Sequence, residues 1–289
     1  MVVKSFEQPF KIGKIEYTND WPVYHHFDPS ALSLPAEIHS DLPANLNRGL
    51  LEETLYLTPV SSFAYGTRSS DFWLLPDLSV SAKNAVGSIL LFSRKPIAEL
   101  GNGTIALTNT SATSINLLKI ILHKRYQLTP EYISMDPSLD EMMEQADAAL
   151  LIGDHAIAAA QKETGYIVTD LGQEWKSWTG LSMTFAVWAV NKKFAATYPE
   201  FVTETAQQLV KSKQRSIANL NPVIQEAQQK MGGDHAYWKH YFQQLWYDFG
   251  EKEQQGLALY FKYAYELELL DHEVHMELWT DNTLIRVNE

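Results

Sequence analysis

The sequence predicts an α/β protein of two lobes joined by crossover strands, closed by a helical C-terminal tail. Three observations predict it. Short β-rich runs alternate with helical patterns as far as Val190. From Phe194 onward only helical patterns follow. No Pro-, Gly- or Ser-rich linker separates the two halves, so the lobe boundaries are expected inside the long apolar runs at 88–93 and 184–190. That places 1–90 with 189–289 in a discontinuous first lobe and 91–188 in the second. The cleft between them is the expected binding site.

The elements follow in order. Lys11 to Tyr17 alternates apolar and polar side chains and reads as a strand, broken by Asn19 and Pro22. Asn45 to Glu53 has a helical pattern. Thr54 to Thr58 reads as a strand ended by Pro59-Val60-Ser61-Ser62. Val86 to Ser93 is apolar and β-like. Thr104 to Thr108 is a short strand behind a Gly-Asn-Gly turn. Ile115, Leu117, Leu118, Ile121 and Leu122 mark one helical stripe between Ile115 and Tyr126. Tyr132 to Met135, Ala148 to Ile152, Tyr166 to Thr169 and Met183 to Val190 complete the strands. Helices are predicted over Pro199–Ala218, Pro222–Met231, His235–Phe249 and Glu251–Leu270, the last with Leu257, Tyr260, Phe261, Ala264, Leu267 and Leu270 at helical spacing.

Composition narrows the function. The chain has 289 residues, 45% hydrophobic and 20% charged, which is globular. It has no cysteine, which excludes disulfide scaffolds, thiolate zinc sites, iron–sulfur ligation and thiol nucleophiles. A net charge of −12 is the wrong sign for a nucleic-acid binder. No apolar run reaches the roughly 18 residues of a membrane span. Met1 to Phe10 lacks the apolar core of a secretory signal, so a cytoplasmic protein is expected. His25-His26, His235/His240 and His272/His275 lack zinc-site spacing, and neither a phosphate-binding P-loop, a dinucleotide fingerprint nor a GxSxG elbow occurs. No metal or cofactor is expected. Oligomeric state is not legible.

The most informative segment is Thr108-Asn109-Thr110-Ser111-Ala112-Thr113-Ser114, five of whose seven side chains carry hydroxyls. It follows a strand and opens a helix. Unpaired N–H groups and partial positive charge at a helix start suit an anion. An ordinary Ser/Thr cap explains part of it, but one cap needs only one hydroxyl. Tyr17-Thr18-Asn19-Asp20, Pro59-Val60-Ser61-Ser62, Gly153-Asp154 and Thr179-Gly180 also follow or abut strands, where α/β sheets bind ligands. Each of these taken alone reads first as plain loop chemistry. Ser88, on the expected crossover, is either a cleft residue or a strand serine satisfied by backbone.

Together these segments resemble the MqnA family, the chorismate dehydratases of the futalosine route to menaquinone. The resemblance covers residues 11–280. It is carried by Ile12-Gly13-Lys14-Ile15 with Tyr17, Asn19 and Pro22; by Thr58-Pro59-Val60-Ser61-Ser62; by Leu75-Pro76-Asp77-Leu78-Ser79; and by Val86-Gly87-Ser88-Ile89 running to Ser93. Ala106-Leu107-Thr108 with Ser111-Ala112-Thr113-Ser114, Ala148 to Asp154, and Asp170-Leu171-Gly172 through Trp175 and Thr179-Gly180 to Trp188 extend it. Thr18 stands where the family often has leucine. The resemblance implies a type II periplasmic-binding-protein-like fold, a cytoplasmic enzyme, and conversion of chorismate to 3-[(1-carboxyvinyl)oxy]benzoate and water. It implies Asn19 beside the reacting ring. Thr110, Ser111, Ala112 and Thr113 would hold a carboxylate, with Ser61, Ser62 and Ser88 as polar contacts and Asp154 a weaker candidate. No general base stands out: the substrate's own enolpyruvyl carboxylate, Asp154 or His25 could take the proton. The related 1,4-dihydroxy-6-naphthoate synthases share the fold and fit the motifs less well. A non-catalytic cytosolic protein binding a small carboxylate is the alternative from another class.

Overall fold

The computed structural model describes residues 9–280. The strands are β1 (Phe10–Ile15), β2 (Ala36–Asp41), β3 (Leu57–Ser61), β4 (Phe72–Ala82), β5 (Ile89–Ser93), β6 (Thr104–Thr108), β7 (Glu131–Met135), β8 (Ala148–Ile152), β9 (Ile167–Asp170), β10 (Met183–Asn191) and β11 (Leu245–Trp246). The helices are α1 (Trp21–Tyr24), α2 (Pro43–Leu51), α3 (Ser62–Thr67), α4 (Ala112–Ile120), α5 (Leu139–Gln145), α6 (Gly153–Ala160), α7 (Leu171–Thr179), α8 (Lys192–Thr197), α9 (Pro199–Ala218), α10 (Asn221–Met231), α11 (His235–Gln244) and α12 (Glu251–Glu266).

The strands form two mixed sheets. One has the order β11-β4-β10-β3-β1-β2, the other β7-β6-β8-β5-β9. The central strands are buried on both faces: every residue of β3, β5, β8 and β10 is buried. That is why AALLI and MTFAVWAV read as continuous apolar runs rather than alternating ones. β5 pairs along its length with β8 and β9. β10 pairs along its length with β3 and β4. The chain therefore changes sheet in the turns that precede β5 and β10, and not within those strands as expected. A strand whose whole ladder is satisfied by one sheet has no groups left to offer the other.

Several local expectations need correction. β3 lies three residues later than predicted and contains Pro59. Proline is tolerated there because β3 meets β1 at a single position, Ile12 with Leu57. β2 and β4 have no counterpart among the expected strands. β4 carries Pro76 and Asp77 in its middle, where Asp77 takes φ 55° and the pairing with β10 slips register. The helix expected over His235–Phe249 stops at Gln244, because Leu245 and Trp246 leave it to pair with Ala82 and Ser81 at the edge of the first sheet. The stripe from Ile115 is part of α4, which continues as a wider π-type turn over Ile121–Arg125. Trp175, Trp188, Trp238 and Trp279 are buried in the core, whereas Trp178 and Trp246 are half-buried.

The C-terminal helices belong to the first sheet's side but reach the second. Thr113, at the start of α4, accepts the Phe63 N–H of α3 at 3.0 Å and gives its carbonyl to the Tyr260 hydroxyl of α12 at 3.1 Å. Asp170, at the end of β9, accepts the N–H groups of Val86 at 3.0 Å and Gly87 at 2.7 Å while capping α7 through Gln173 N–H at 3.0 Å. Gly172 lets that turn close: a Cβ there would lie 2.8 Å from the Asn84 carbonyl oxygen. The Asp-Leu-Gly segment is thus a clamp on the first crossover.

Candidate functional site

The C-terminal ends of β1 and β3 in the first sheet face those of β6 and β8 in the second. This is where α/β sheets bind ligands, and most of the residues singled out from sequence lie around it; Thr179-Gly180 instead closes the C-terminal end of α7.

The turn after β1 is the centre. Thr18 gives Asp154 Oδ1 two hydrogen bonds, from its backbone N–H at 3.2 Å and its hydroxyl at 2.8 Å. Asp154 sits in the first turn of α6, a favourable place for a carboxylate. The preceding Gly153 has φ +55°, and a Cβ there would lie 2.6 Å from the Tyr17 ring. So the Tyr17 ring packs close against the chain of the other lobe. Burial pushes the Asp154 carboxyl above its ordinary pKa, with the Thr18 bonds pulling the other way.

Asn19 is half-buried, but its Oδ1 is shielded and has no partner. Asp20 is wholly buried. Its Oδ2 accepts the Ile15 N–H at 2.8 Å, and its Oδ1 has no partner. Burial holds the Asp20 carboxyl well above the usual range. Lys14 and the Ile15 N–H oppose that, and Asp154 adds to it. The Tyr17 hydroxyl is also buried; it faces the Thr110 side chain without a fully formed hydrogen bond. Each such atom costs about 1–3 kcal/mol when nothing meets it, so a cluster of them marks where a polar ligand belongs.

The remaining candidates divide. Ser88 is buried and accepts the Tyr241 hydroxyl at 3.2 Å. Thr110 shares a 2.8 Å contact with Thr108 between their hydroxyls. Ser111 caps α4 through the Ser114 N–H at 3.2 Å and gives its own proton to Ser114 Oγ at 2.9 Å. These hydroxyls are engaged locally. What α4 leaves for a ligand is its first-turn backbone, the N–H groups of Ala112 and Thr113, which have no acceptor within a helix. Ser61 caps α3 through Ala64 N–H at 3.3 Å and exchanges bonds with Asn47 at 2.9 and 3.1 Å. Ser62 gives its hydroxyl to the Thr184 carbonyl at 2.8 Å. Both serines border the cleft with their hydroxyls already committed. His25 stands apart, against Glu226 at 3.3 Å.

Sequence reading missed the tyrosines of the C-terminal region. Tyr241 is wholly buried and faces Ser88 and Thr18. Tyr247, in the loop after β11, is buried with an unpartnered hydroxyl, within electrostatic reach of Tyr241 and Asp20. Tyr237 faces Gln161 and Asp154. Their helical spacing reads as core, and only the fold brings the tail back over the cleft. Among the described residues no helix is long and apolar enough to cross a membrane.

Comparison with known proteins agrees with this architecture. The sequence profile of a family described by menaquinone biosynthesis matches residues 10–266. A protein named chorismate dehydratase, from Thermus thermophilus, is 30% identical over 268 residues, covering 88% of this chain and 94% of that one. Among solved structures, protein AF1704 from Archaeoglobus fulgidus aligns with a TM-score of 0.72 at 18% identity, over 91% of this chain and 98% of that one. The alkanesulfonate-binding protein SsuA from Xanthomonas axonopodis pv. citri, bound to MOPS, aligns with a TM-score of 0.70 at 12% identity, over 93% and 97%. At these identities the structural neighbours establish the fold: it is that of the periplasmic binding proteins.

Proposed function

This chain belongs to the menaquinone biosynthesis family, and on that premise we propose that it is a chorismate dehydratase of the futalosine route, working in the cytoplasm. The observation that carries the reading is its similarity, over most of its length, to a protein of that name. The cleft supports it with a set of buried, unpartnered polar atoms suited to an oxygen-rich small molecule.

The reaction sets the requirements. Chorismate loses its C3 proton and C4 hydroxyl, and the ring becomes aromatic. No electron leaves the substrate and no group arrives, so the chemistry calls for no cofactor. The protein must hold a dianion dry, orient it, and favour elimination over rearrangement. In this reading the N–H groups of Ala112 and Thr113 hold one carboxylate, and that contact strengthens as charge builds on the ring. Thr110 and Ser111 line the same turn, and Ser88 and the cap turn Ser61-Ser62 border the substrate from the first lobe. Asn19 lies beside the ring, its amide able to donate and accept. The substrate's enolpyruvyl carboxylate takes the C3 proton. Asp154, engaged by Thr18, fixes the closed position of the lobes, which is catalysis by positioning.

Chelator-treated protein mixed with chorismate, followed by chromatography with mass detection, tests this. Enolpyruvyl-oxybenzoate as product upholds the reading. Tight chorismate binding without product would point instead to a non-catalytic carboxylate-binding protein. Neither binding nor turnover would turn attention to the naphthoate-forming reaction of the sister family.

A further inference from the structure

A cavity that shares no residue with the cleft lies along α9. It has a volume of about 430 Å³ and is walled by Gln208, Lys211, Ser212, Gln214 and Arg215 of that helix and by His26, just after α1. The two elements are joined there by the His26 N–H, which donates to Ser212 Oγ at 3.0 Å. Gln208, Lys211, Ser212 and Arg215 recur at helical spacing, so one face of α9 presents them together. No Asp or Glu lines this wall, although the chain has 35 acids against 23 bases.

The donors of this wall are unengaged. Among the described residues, Arg48, Arg68, Arg94 and Arg125 each donate hydrogen bonds, and Arg215 donates none. Lys211 likewise enters no ion pair and no hydrogen bond. Ser212 is almost wholly buried; its hydroxyl accepts from His26, and no described residue accepts its proton. Acids on the neighbouring turns are held elsewhere. Glu226 pairs with His25 at 3.3 Å and Lys230 at 3.0 Å, Glu204 accepts the Ser33 N–H at 2.9 Å, and Asp28 accepts the Ser30 N–H at 2.9 Å. The His26 ring meets His25 edge-on at 4.8 Å, with Lys211 and Arg215 on the α9 side. Burial, Arg215 and His25 hold its imidazole below the ordinary pKa, so it is neutral near pH 7. A wall of free donors without a carboxylate is matched to an oxyanion.

A second groove, of about 530 Å³, adjoins the first: Lys211 and Gln214 line both. Its wall is largely apolar, with Pro76, Ala206, Val210 and Trp279, and its one acid, Asp77, forms no ion pair. We propose that this surface binds an organic phosphate monoester, its phosphoryl group held by Arg215, Lys211 and the Ser212 hydroxyl, and its carbon body laid along Ala206, Val210 and Trp279. A phosphoryl dianion offers three acceptor oxygens to these three free donors. The apolar wall beyond Lys211 favours an ester over the bare ion, because only the ester has carbon surface to bury there. The site stands apart from the cleft, so it holds whatever reaction the cleft performs.

Titration calorimetry on the full chain near pH 7 tests this, with phenyl phosphate and inorganic phosphate as probes. Phenyl phosphate is expected to bind with Kd of about 10⁻⁴–10⁻³ M, at least about fivefold tighter than inorganic phosphate. Arg215→Gln, at an exposed position, should weaken phenyl phosphate at least about tenfold and leave the melting temperature unchanged. Val210→Ser should remove the preference for the ester without weakening inorganic phosphate. The His26 ring C–H resonance, assigned with His26→Gln, should titrate at higher pH when phenyl phosphate is bound. A dianion beside the ring favours the imidazolium, whereas His25, Lys211 and Arg215 oppose it. No heat from either probe at about 10 mM would overturn the proposal, as would binding that Arg215→Gln leaves within about threefold. Inorganic phosphate bound as tightly as the ester would make this an adventitious anion site only, and would overturn it too.

Discussion

Thr18 and Asp154, 136 positions apart in sequence, are joined by two hydrogen bonds to one carboxylate oxygen, at 3.2 and 2.8 Å. They lie just beyond the ends of β1 and β8, strands of the two different sheets. This pair ties the two lobes across the cleft, and its consequences are measurable.

Thr18→Val removes the shorter bond and keeps the shape. A hydrogen bond to a charged, mostly buried group contributes about 1.5–3 kcal/mol, so melting temperature should drop by several degrees. Activity should fall further than stability, because the closed position of the lobes loosens. Unchanged turnover in a destabilised variant would show that the bond serves folding alone.

Stability should decline as pH rises. Burial raises the carboxyl pKa of both Asp20 and Asp154. An unfolded aspartate loses its proton near about pH 4. Above that, the folded chain holds protons the unfolded chain has lost, and stability falls with pH until the folded groups ionise too. Asp28 and Asp41, whose pKa values are lowered by hydrogen bonds, act below this window. The urea midpoint is therefore expected to be lower at pH 8 than at pH 5, with a shallower slope in Asp20→Asn. A midpoint that rises over this range would contradict the burial of these acids.

Gly153→Ala should damage the site directly. The residue takes φ +55°, and the added Cβ would meet the Tyr17 ring at 2.6 Å. Strain plus overpacking should cost about 2–4 kcal/mol and shift Asp154 away from Thr18. Denaturant titration and turnover read both effects. A neutral outcome would mean that Tyr17 moves freely, contrary to its packing.

Asp170→Ala removes a helix cap and leaves the Val86 and Gly87 N–H groups without their acceptor. A loss of about 2–3 kcal/mol is expected. Limited proteolysis should then cut first near residues 83–88. Cleavage that begins elsewhere would argue against a clamp on the crossover.

Much of the fold is legible in the sequence because its strands are buried on both sides. Thr104–Thr108 and Ala148–Ile152 have the bounds their apolar runs predict, and α9 begins at Pro199 and ends at Ala218 as its spacing requires. β4 is illegible because Pro76 and Asp77 interrupt it, yet the bulge they make keeps the strand in its sheet. β2 is an edge strand, half exposed, with little apolar pattern. Around the cleft, short polar turns after strands mark Tyr17 to Asp20, the start of α4 and Gly153-Asp154, and the choice of Asn19 among them comes from the family resemblance. Tyr241 and Tyr247 could not be found that way. They reach the cleft only because Leu245 and Trp246 pair with β4, a contact between residues far apart in the chain.

The central claim is that chorismate is bound and dehydrated between the lobes. Determining the structure of the Asn19→Ala variant crystallised with chorismate tests this most directly. The account predicts the ring beside residue 19, with one carboxylate on the N–H groups of Ala112 and Thr113. Chorismate seated elsewhere, such as the groove lined by Pro76, Val210 and Trp279, or a cleft empty at saturating chorismate, would contradict it.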